Sequence, residues 1–251
     1  MAKKKNKKRL EVIVFVIVML SLTAGLSWYM SKPKFVHYKD FGIDIPVNYS
    51  IHGIDVSKYQ DDIDWGDVKR MHIKNITIRF GFIKATEGSD DVDRKFKRNW
   101  RSAKEAGIPR GAYHFFNPYK DGKTQAQNFI NKVSLQKGDM PPVLDIEQSG
   151  ELNKNDLQQK ISDWLNLVEQ HYKVKPIIYT SADFYEKYLA GKFDEYPLWV
   201  AHYLVKDKPR VRRNWSFWQH NEAGLVNGID AYVDFNVFNG DSAGFQQMLI
   251  K

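Results

Sequence analysis

The 251-residue chain contains no cysteine. This absence excludes a disulfide framework, a thiolate metal site and a cysteine nucleophile. The sequence also lacks a glycine-rich phosphate-binding loop and a Gly-x-Ser-x-Gly nucleophile elbow. The histidines near predicted strand ends fit no metal-ligand spacing: His114, His202 and His220. We therefore predict that the protein uses neither a cofactor nor a metal ion.

Positive charge is in excess, but it is not spread evenly along the chain. The formal net charge is +8. Residues 1–11 contain six of the 38 basic residues and one of the 30 acidic residues, which leaves a net charge of +3 for the remainder. A nucleic-acid-binding domain concentrates its basic residues on one face or in one groove. Because the excess lies in a terminal tail, we do not predict nucleic-acid binding.

The basic tail is followed by a long apolar run. Residues 12–30 contain no charged side chain, and a run of this length can cross a bilayer. Trp28 and Tyr29 at its far end are typical of an interfacial anchor. We predict a cytoplasmic tail over residues 1–11, a transmembrane signal anchor over 12–30 that tethers the protein to the membrane, and a connector over 31–50, with everything after the anchor exported. The alternative is a cleavable signal peptide and a secreted protein.

Beyond residue 50, apolar runs alternate five times with segments of helical periodicity. Three further apolar runs follow without helices between them, at residues 198–203, 215–219 and 232–238. A parallel crossover needs a dozen or more residues, usually helical, so these last strands are not joined by ordinary βαβ units. Eight strands suffice to close a barrel. We predict one α/β domain over residues 51–251, a TIM-like barrel of (β/α)5 followed by three strands without helices.

Two carboxylates stand at the end of a short buried strand, in the run Pro141-Pro142-Val143-Leu144-Asp145-Ile146-Glu147. Side chains alternate along a strand, so the two acids are predicted to share one face, about 7 Å apart. Like charges at this range push pKa values apart and leave one group protonated and the other ionised. Such a pair can perform acid/base chemistry on a glycosidic bond. The alternative is a solvated strand end whose acids cap loop amides.

The predicted barrel brings further polar and aromatic side chains to the same edge, because TIM-barrel sites lie at the C-terminal ends of the strands. Acids are rarely buried without partners, so a set of four at three strand ends favours a carboxylate-lined cleft. The predicted catalytic residues are Asp55, Asp145, Glu147 and Asp234. The predicted substrate-binding residues are Tyr113, Tyr179, Trp199, Tyr203 and Gln219, although the aromatic rings among them could instead belong to the core.

Several motifs in this chain resemble one family in their sequence and order. They cover about residues 51–240: Gly53-Ile54-Asp55-Val56-Ser57, Ile63-Asp64-Trp65, Phe82-Ile83-Lys84-Ala85-Thr86-Glu87-Gly88, Gly111-Ala112-Tyr113-His114-Phe115, Leu144-Asp145-Ile146-Glu147, Pro176-Ile177-Ile178-Tyr179-Thr180-Ser181, Leu198-Trp199-Val200-Ala201, Trp218-Gln219 and Val233-Asp234-Phe235-Asn236. The chain is similar to glycoside hydrolase family 25, the lysozymes of the Chalaropsis type, which are N-acetylmuramidases. It departs from the family at Gln60-Asp61, where the family usually has Gln-Gly.

The resemblance implies a barrel of five helices and eight strands. It also implies hydrolysis of the β-1,4 bond between N-acetylmuramic acid and N-acetylglucosamine in peptidoglycan. Carried over by position, Glu147 is the general acid, the other three acids are supporting carboxylates, and the aromatic residues line sugar subsites. One alternative is a barrel that binds cell-wall glycan without cleaving it, although the intact carboxylate set disfavours it. Another is a chitinase-like hydrolase, which would not explain the motif at Asp234.

Overall fold

The computed structural model describes residues 13–23, 25, 34–203, 205 and 207–251. Two compact units are present, Met1–Lys34 and Phe35–Lys251. Residues 13–23 are helical, but among the described residues no helix is long and apolar enough to cross a membrane. Part of the transmembrane helix predicted over residues 12–30 lies outside the described residues. The predicted tail over 1–11 lies wholly outside them.

The unit from Phe35 onward contains all of the strands that the structure describes. Twelve strands are formed: β1 (Phe35–Tyr38), β2 (Ile43–Pro46), β3 (His52–Val56), β4 (His72–Ile73), β5 (Ile76–Glu87), β6 (Asp91–Val92), β7 (Arg110–Phe115), β8 (Val143–Asp145), β9 (Ile177–Ser181), β10 (Leu198–Ala201), β11 (Phe217–Gly224) and β12 (Val233–Phe238). Eight of them close into a barrel in the order β3-β5-β7-β8-β9-β10-β11-β12, with β12 returning to pair with β3. The predicted eight-stranded barrel is confirmed.

The barrel is mixed, because its last strand runs against all the others. Strands β3 to β11 pair in parallel around the barrel. Strand β12 is antiparallel to both of its neighbours, β11 and β3. The connection from β11 to β12 spans residues 225–232, which is too short for a parallel crossover. The start of β12, rather than its end, therefore lies at the edge where the parallel strands end.

Helices follow the first five barrel strands, as the sequence rhythm predicts. They are Trp65–Arg70, Phe96–Glu105, Gly122–Lys132, Lys154–Tyr172, and Ala182–Phe184 continued by a π-helical turn at Tyr185–Leu189. A C-terminal helix, Ser242–Met248, follows the last strand. The longest helix shows the local rules: the Asn153 side chain accepts a hydrogen bond from the Asp156 N–H, and Lys173 ends it in a left-handed conformation with φ 59°.

The barrel interior is apolar below the edge that carries the acids. Phe80 and Phe82 on β5 project into it, and their rings occupy the space where side chains at Gly53 and Gly111 would begin. A Cβ built on Gly53 would lie 2.4 Å from the Phe80 ring, and one on Gly111 would lie 2.5 Å from the Phe82 ring. Glycine at these two positions lets large rings fill the barrel. Phe245 of the C-terminal helix packs on Phe80, with ring centroids 5.6 Å apart, at the apolar end.

The outer face of the last strands is covered by the β1–β2 hairpin rather than by helices. Phe35 packs edge-on against Trp218, with ring centroids 5.9 Å apart, and Phe41 packs against Phe235 at 5.2 Å. Tyr49 adds an edge contact to Trp218 at 6.0 Å. Residues 31–50 are predicted to form a connector, whereas from Phe35 onward they belong to the same compact unit as the barrel.

Candidate active site

A cavity of about 560 Å³ opens at the edge where the parallel strands end and β12 begins. The structure brings all nine residues of the predicted site to its walls: Asp55, Tyr113, Asp145, Glu147, Tyr179, Trp199, Tyr203, Gln219 and Asp234. Because β12 is antiparallel, Asp234 lies at this edge although it is near the start of its strand and not near the end. The expectation of a cleft lined by four carboxyl groups is therefore met by the geometry of the barrel.

Asp55 and Asp234 face each other directly across strands β3 and β12. The Oδ2 atom of Asp55 accepts hydrogen bonds from Gln219 Nε2 at 2.8 Å and from Asn236 Nδ2 at 2.8 Å. Burial, followed by the charge of Asp234, raises the pKa of Asp55 well above its ordinary value. Burial also raises the pKa of Asp234 to about 6, against a hydrogen bond with Asp55 that lowers it. These shifts favour the protonated forms of both carboxyl groups, and Asp55 Oδ2 is the acceptor for the two amides.

The two amides are held in one orientation by hydrogen bonds to their oxygen atoms. The Oε1 atom of Gln219 accepts the hydroxyl of Tyr179 at 2.7 Å and also that of Tyr203. The Oδ1 atom of Asn236 accepts the indole N–H of Trp199 at 2.7 Å. An indole nitrogen is never an acceptor, so the amide nitrogen of Asn236 must face Asp55. Asn236 was not among the predicted site residues, because an amide in an Asp-x-Asn pair equally fits a turn.

Trp199 belongs to the barrel interior rather than to an accessible sugar platform. Its side chain is only 2% exposed, and its ring stacks on Phe82 with centroids 4.2 Å apart and planes 20° apart. The Tyr179 ring also packs against the Trp199 ring, with centroids 4.4 Å apart. Trp199 thus lines the floor of the cavity, and its main contribution is packing and the hydrogen bond to Asn236.

Replacing Trp199 by phenylalanine should lower stability by about 1–3 kcal/mol, because the buried Asn236 oxygen loses its only indole donor while ring packing is largely kept. The measurement is the free energy of unfolding from urea denaturation. Tyr232→Phe is the matched control, since that aromatic ring is exposed and its hydroxyl makes no described hydrogen bond. Equal stability of the Trp199 variant and the parent protein would show that this hydrogen bond does not hold the site.

Asp145 is the most deeply enclosed acid on the β8 side of the cavity. It is the last residue of β8, and its Oδ1 atom is buried without a hydrogen-bond partner among the described residues. Burial, followed by the charge of Glu147, raises the pKa of Asp145 well above its ordinary value, whereas the charge of Lys84 lowers it. A buried carboxyl oxygen without a donor is costly in the free protein. It is therefore an acceptor available to a ligand N–H or O–H.

Glu147 lies two residues beyond the end of β8, at the exposed mouth of the cavity. The strand predicted to carry both acids ends at Asp145, but both side chains line the cavity. Partial burial raises the pKa of Glu147, while a hydrogen bond with Tyr179 and the charge of Lys84 lower it. Ile146 between the two acids is buried, as predicted. Glu147 is the carboxyl group that a large substrate can reach first.

Lys84 is a cleft residue that was not selected from the sequence. Its side chain is 12% exposed and forms a 2.7 Å ion pair with Glu87, and its ammonium group lies 4.7 Å from the centroid of the Phe115 ring. Lys84 follows Phe80 and Phe82 at every second position of β5, so it projects inward with them. Its two-residue spacing from Phe80 and Phe82 is the signal in the sequence, and it identifies an inward lysine only once the strand register is known. Its positive charge favours the ionised forms of Asp145 and Glu147.

The three histidines considered for metal binding lie in unrelated surroundings. His114 is buried with hydrogen bonds to Thr86 at 2.7 Å and Gln125 at 3.2 Å. His220 is buried against Trp218 with a ring-centroid distance of 5.6 Å. His202 is partly exposed and accepts the Arg210 N–H at 3.1 Å. Within the described part of the chain, no group of three or more metal-ligating side chains is found.

The chain is similar to known proteins along most of its length. The family model for "Glycosyl hydrolases family 25" matches residues 54–229. "Uncharacterized protein YegX" from Escherichia coli (strain K12) is 45% identical over 92% of this chain and 84% of that protein. "Lysozyme M1" from Streptomyces globisporus is 36% identical over 77% of this chain and 69% of that protein.

A solved structure shows the same architecture. The family 25 glycosyl hydrolase from Bacillus anthracis superposes with a TM-score of 0.75 at 33% sequence identity, covering 88% of this chain and 99% of that chain. The family model extends from within β3 to the connection before β12. The resemblance seen in the sequence motifs is therefore confirmed, and the chain belongs to glycosyl hydrolase family 25.

Proposed function

We propose that this protein is a peptidoglycan hydrolase that cleaves the β-1,4 bond between N-acetylmuramic acid and N-acetylglucosamine, as a muramidase. The observation that carries the proposal is the convergence of Asp55, Asp145, Glu147 and Asp234 on one cavity. Most glycosidases use a pair of carboxyl groups, one of which donates a proton to the leaving oxygen. The intact carboxyl set, in a family that includes lysozymes among its relatives, favours cleavage over glycan binding alone.

Glu147 is the proposed general acid. It lies at the mouth of the cavity, and its pKa is raised by partial burial. A sugar that fills the cleft removes more water from this carboxyl group and raises its pKa further. Protonated Glu147 would then donate to the glycosidic oxygen as the bond to the anomeric carbon breaks.

Asp145 is proposed to act on the sugar from inside the cavity. Its Oδ1 atom is buried and has no donor among the described residues, so it can accept the N–H of an acetamido group or face the anomeric carbon. Both sugars of the glycan strand carry such an acetamido group. Asp55 and Asp234 share a proton on the opposite wall, where a negative charge stabilises the positive charge that develops on the sugar in the transition state.

The remaining cavity walls suit a sugar polymer. Tyr113, Phe115 and Tyr203 are among the residues that line the cavity, and aromatic faces next to polar groups bind the apolar faces and hydroxyl groups of pyranose rings. Tyr59 stands at the edge with 76% of its surface exposed. No step in this proposal requires a group other than these side chains and water.

The placement of the protein remains a proposal that rests on the sequence. Peptidoglycan lies outside the cytoplasmic membrane, and the basic tail with the uncharged run at residues 12–30 suits export of the barrel, either anchored or secreted. Extraction of membranes with high salt and then with detergent separates the two forms. Full-length protein in the detergent fraction supports anchoring, and soluble protein that begins near residue 25 supports a cleaved signal.

Digestion of purified peptidoglycan by the full-length protein tests the activity. New reducing ends are identified by mass spectrometry after borohydride reduction. We expect reduced muramic acid at every new end. Reduced glucosamine at the new ends would contradict the proposed bond. Binding to peptidoglycan without new ends would contradict hydrolysis and would favour a barrel that binds cell-wall glycan without cleaving it.

A further inference from the structure

The catalytic cleft continues along the outside of the barrel as a line of adjoining cavities. Tyr59 forms part of the cleft wall and also lines a neighbouring cavity of about 410 Å³. Arg94 lines that cavity and the next one, of about 520 Å³, on the surface of the Phe96–Glu105 helix. We call these two cavities the side groove. Because each cavity shares a lining side chain with the next, the three lie side by side, and a ligand that leaves the cleft past Tyr59 reaches the side groove.

The side groove has a firmly held base. Buried Asp93 accepts the backbone N–H of Lys58 at 2.8 Å through Oδ2 and the backbone N–H of Lys95 at 2.8 Å through Oδ1. This carboxylate joins the segment after β3 to the start of the Phe96–Glu105 helix. Half-buried Trp100 supplies the apolar surface, and its ring packs on buried Phe96 with ring centroids 5.4 Å apart. A preformed surface binds an extended ligand at a lower entropy cost than a loop that must be ordered first.

The turn beside the groove is strained. Asp61 has φ 52° and ψ −134°, a region that favours glycine, and it stands where the family usually has glycine. Asp61 forms an ion pair with Lys95, which also pairs with Asp62 at 2.8 Å. Backbone strain persists where the surroundings fix it, and it is frequent at ligand sites. Asp62 also lies 3.4 Å from Arg98, so Asp61 and Asp62 are matched by two cations and do not cancel the charges of the groove.

Four cations of the side groove have no such partner. Lys58, Arg94, Lys97 and Lys132 line the two cavities, and none of them forms an ion pair within the part of the chain that the structure describes. The acids that line the same cavities are Asp61, which is paired with Lys95, and Asp93, which accepts two backbone N–H groups. The groove thus presents uncompensated positive charge beside an apolar surface and an exposed tyrosine, which complements an anionic chain with apolar side groups.

We propose that the side groove binds the carboxylate-bearing stem peptide of a muramic acid residue whose sugar lies in the catalytic cleft. This inference rests on the proposed function, since it names the part of the substrate that leaves the cleft. Stem peptides branch from the lactyl group of muramic acid and carry free carboxylates and short apolar side chains. Lys58 and Arg94 meet the first carboxylates at the exit past Tyr59, and Lys97 and Lys132 meet those nearer the end of the peptide.

The test compares two substrates for the same full-length protein: peptidoglycan that retains its stem peptides, and the same material stripped of them by an amidase. The variants are Arg94→Glu, Lys97→Glu and the double substitution. Lys192→Ala is the matched control, an exposed lysine on another face with no described partner. Arg94 and Lys97 are both exposed, so the melting temperature of every variant should match that of the parent protein.

On intact peptidoglycan we expect kcat/KM to fall about fivefold for each single variant, the effect of losing about 1 kcal/mol of charge attraction, and further for the double variant. On stripped glycan all of the proteins should act alike. High salt should shrink the difference on the intact substrate. Equal losses on both substrates, or no loss on either, would overturn the side groove as a peptide site while leaving hydrolysis established.

A binding measurement separates this inference from the proposed function. Muramyl tetrapeptide is titrated into the full-length protein by calorimetry, with the peptide-free sugar as a comparison. We expect tighter binding of the peptide-bearing sugar, and loss of that preference in the Arg94→Glu variant. Absence of turnover on both substrates contradicts the proposed function, yet a preference that depends on Arg94 would still support the groove. No preference in the parent protein would overturn it.

Discussion

Replacing Glu147 by glutamine should abolish turnover on peptidoglycan while leaving the fold and glycan binding intact. The substitution keeps the size of the side chain and removes the proton that the leaving oxygen needs. Proton transfer by a positioned acid contributes about 10²–10⁴-fold to the rate, so the loss should be of at least that order. Glu147 lies at the exposed mouth of the cavity and carries no part of the barrel packing, so the melting temperature should not change.

The measurement is the rate of release of new reducing ends, with binding to insoluble peptidoglycan measured in parallel. Glu151→Gln is the matched control, since this exposed acid lies a few residues further along the same connection and outside the cavity lining. An activated aryl glycoside provides a second substrate, because its leaving group barely needs a proton. There the Glu147→Gln variant should recover much of its rate, whereas the Asp145→Asn variant should not.

The two variants together distinguish the roles of the acids. Recovery by both on the aryl glycoside would contradict a distinct role for Asp145. Failure of Glu147→Gln to recover would contradict the assignment of the general acid, although family membership would stand. A loss of binding in Glu147→Gln would instead mean that this carboxyl group holds the substrate in the ground state.

The alternation of strand and helix patterns along the sequence is sufficient to predict the barrel and the edge at which its site lies. Five alternations of strand and helix and three bare strands fix the number of strands, and acids at strand ends identify the edge. The direction of β12 could not be read from Val233 to Phe238, because a strand of this length has the same alternation in either direction. Only the short connection after β11 decides it, and its bounds became clear with the structure.

The hairpin over the last strands was missed for a related reason. Phe35–Tyr38 and Ile43–Pro46 are each four residues long, which is too short for a periodicity to be recognised. Their partner is a long-range one: strands without helices leave an outer apolar face that some other segment must cover. The lack of helices between the last strands is visible in the sequence, and it indicates that another segment must cover their outer face.

The site residues were predicted better than their roles. Alternation places Lys84 in the cleft, but a single inward lysine is indistinguishable in sequence from an outward one when the strand register is unknown. Trp199 was read as a sugar-binding residue, whereas its ring is stacked on Phe82 inside the barrel. Which aromatic residues are reachable depends on how the eight strands close, and this is a property of packing rather than of local sequence.

Replacing Asp145 by asparagine should raise thermal stability at pH 8 and lower kcat/KM on peptidoglycan by about 10² or more. The activity falls because an amide can neither carry negative charge nor accept equally well at the buried Oδ1 position. Stability rises because the cost of burying this carboxylate disappears. Burial, followed by the charge of Glu147, raises the pKa of Asp145 well above its ordinary value of 3.8 in the folded protein.

The direction of the pH dependence follows from that shift. Below about pH 4 the Asp145 carboxyl group is protonated in the folded and unfolded chains alike, so the parent and the asparagine variant should melt together. As the pH rises toward the folded-state pKa, the unfolded chain ionises first and the parent loses stability, whereas asparagine does not titrate. The charge of Lys84 lowers the pKa of Asp145, but burial and the charge of Glu147 raise it by more.

Melting temperatures of both proteins are therefore compared at intervals from pH 4 to pH 8. The melting temperature of the variant should exceed that of the parent by an amount that grows with pH to a few degrees. A difference of about 1 kcal/mol in stability corresponds to roughly 2–4 °C in a domain of this size. Asp90→Asn is the matched control, because this acid is exposed and should give no such slope. A variant that is less stable at pH 8 would mean that a favourable contact holds Asp145 ionised in the folded protein, and a gain that is the same at every pH would mean that folding does not raise the pKa of Asp145.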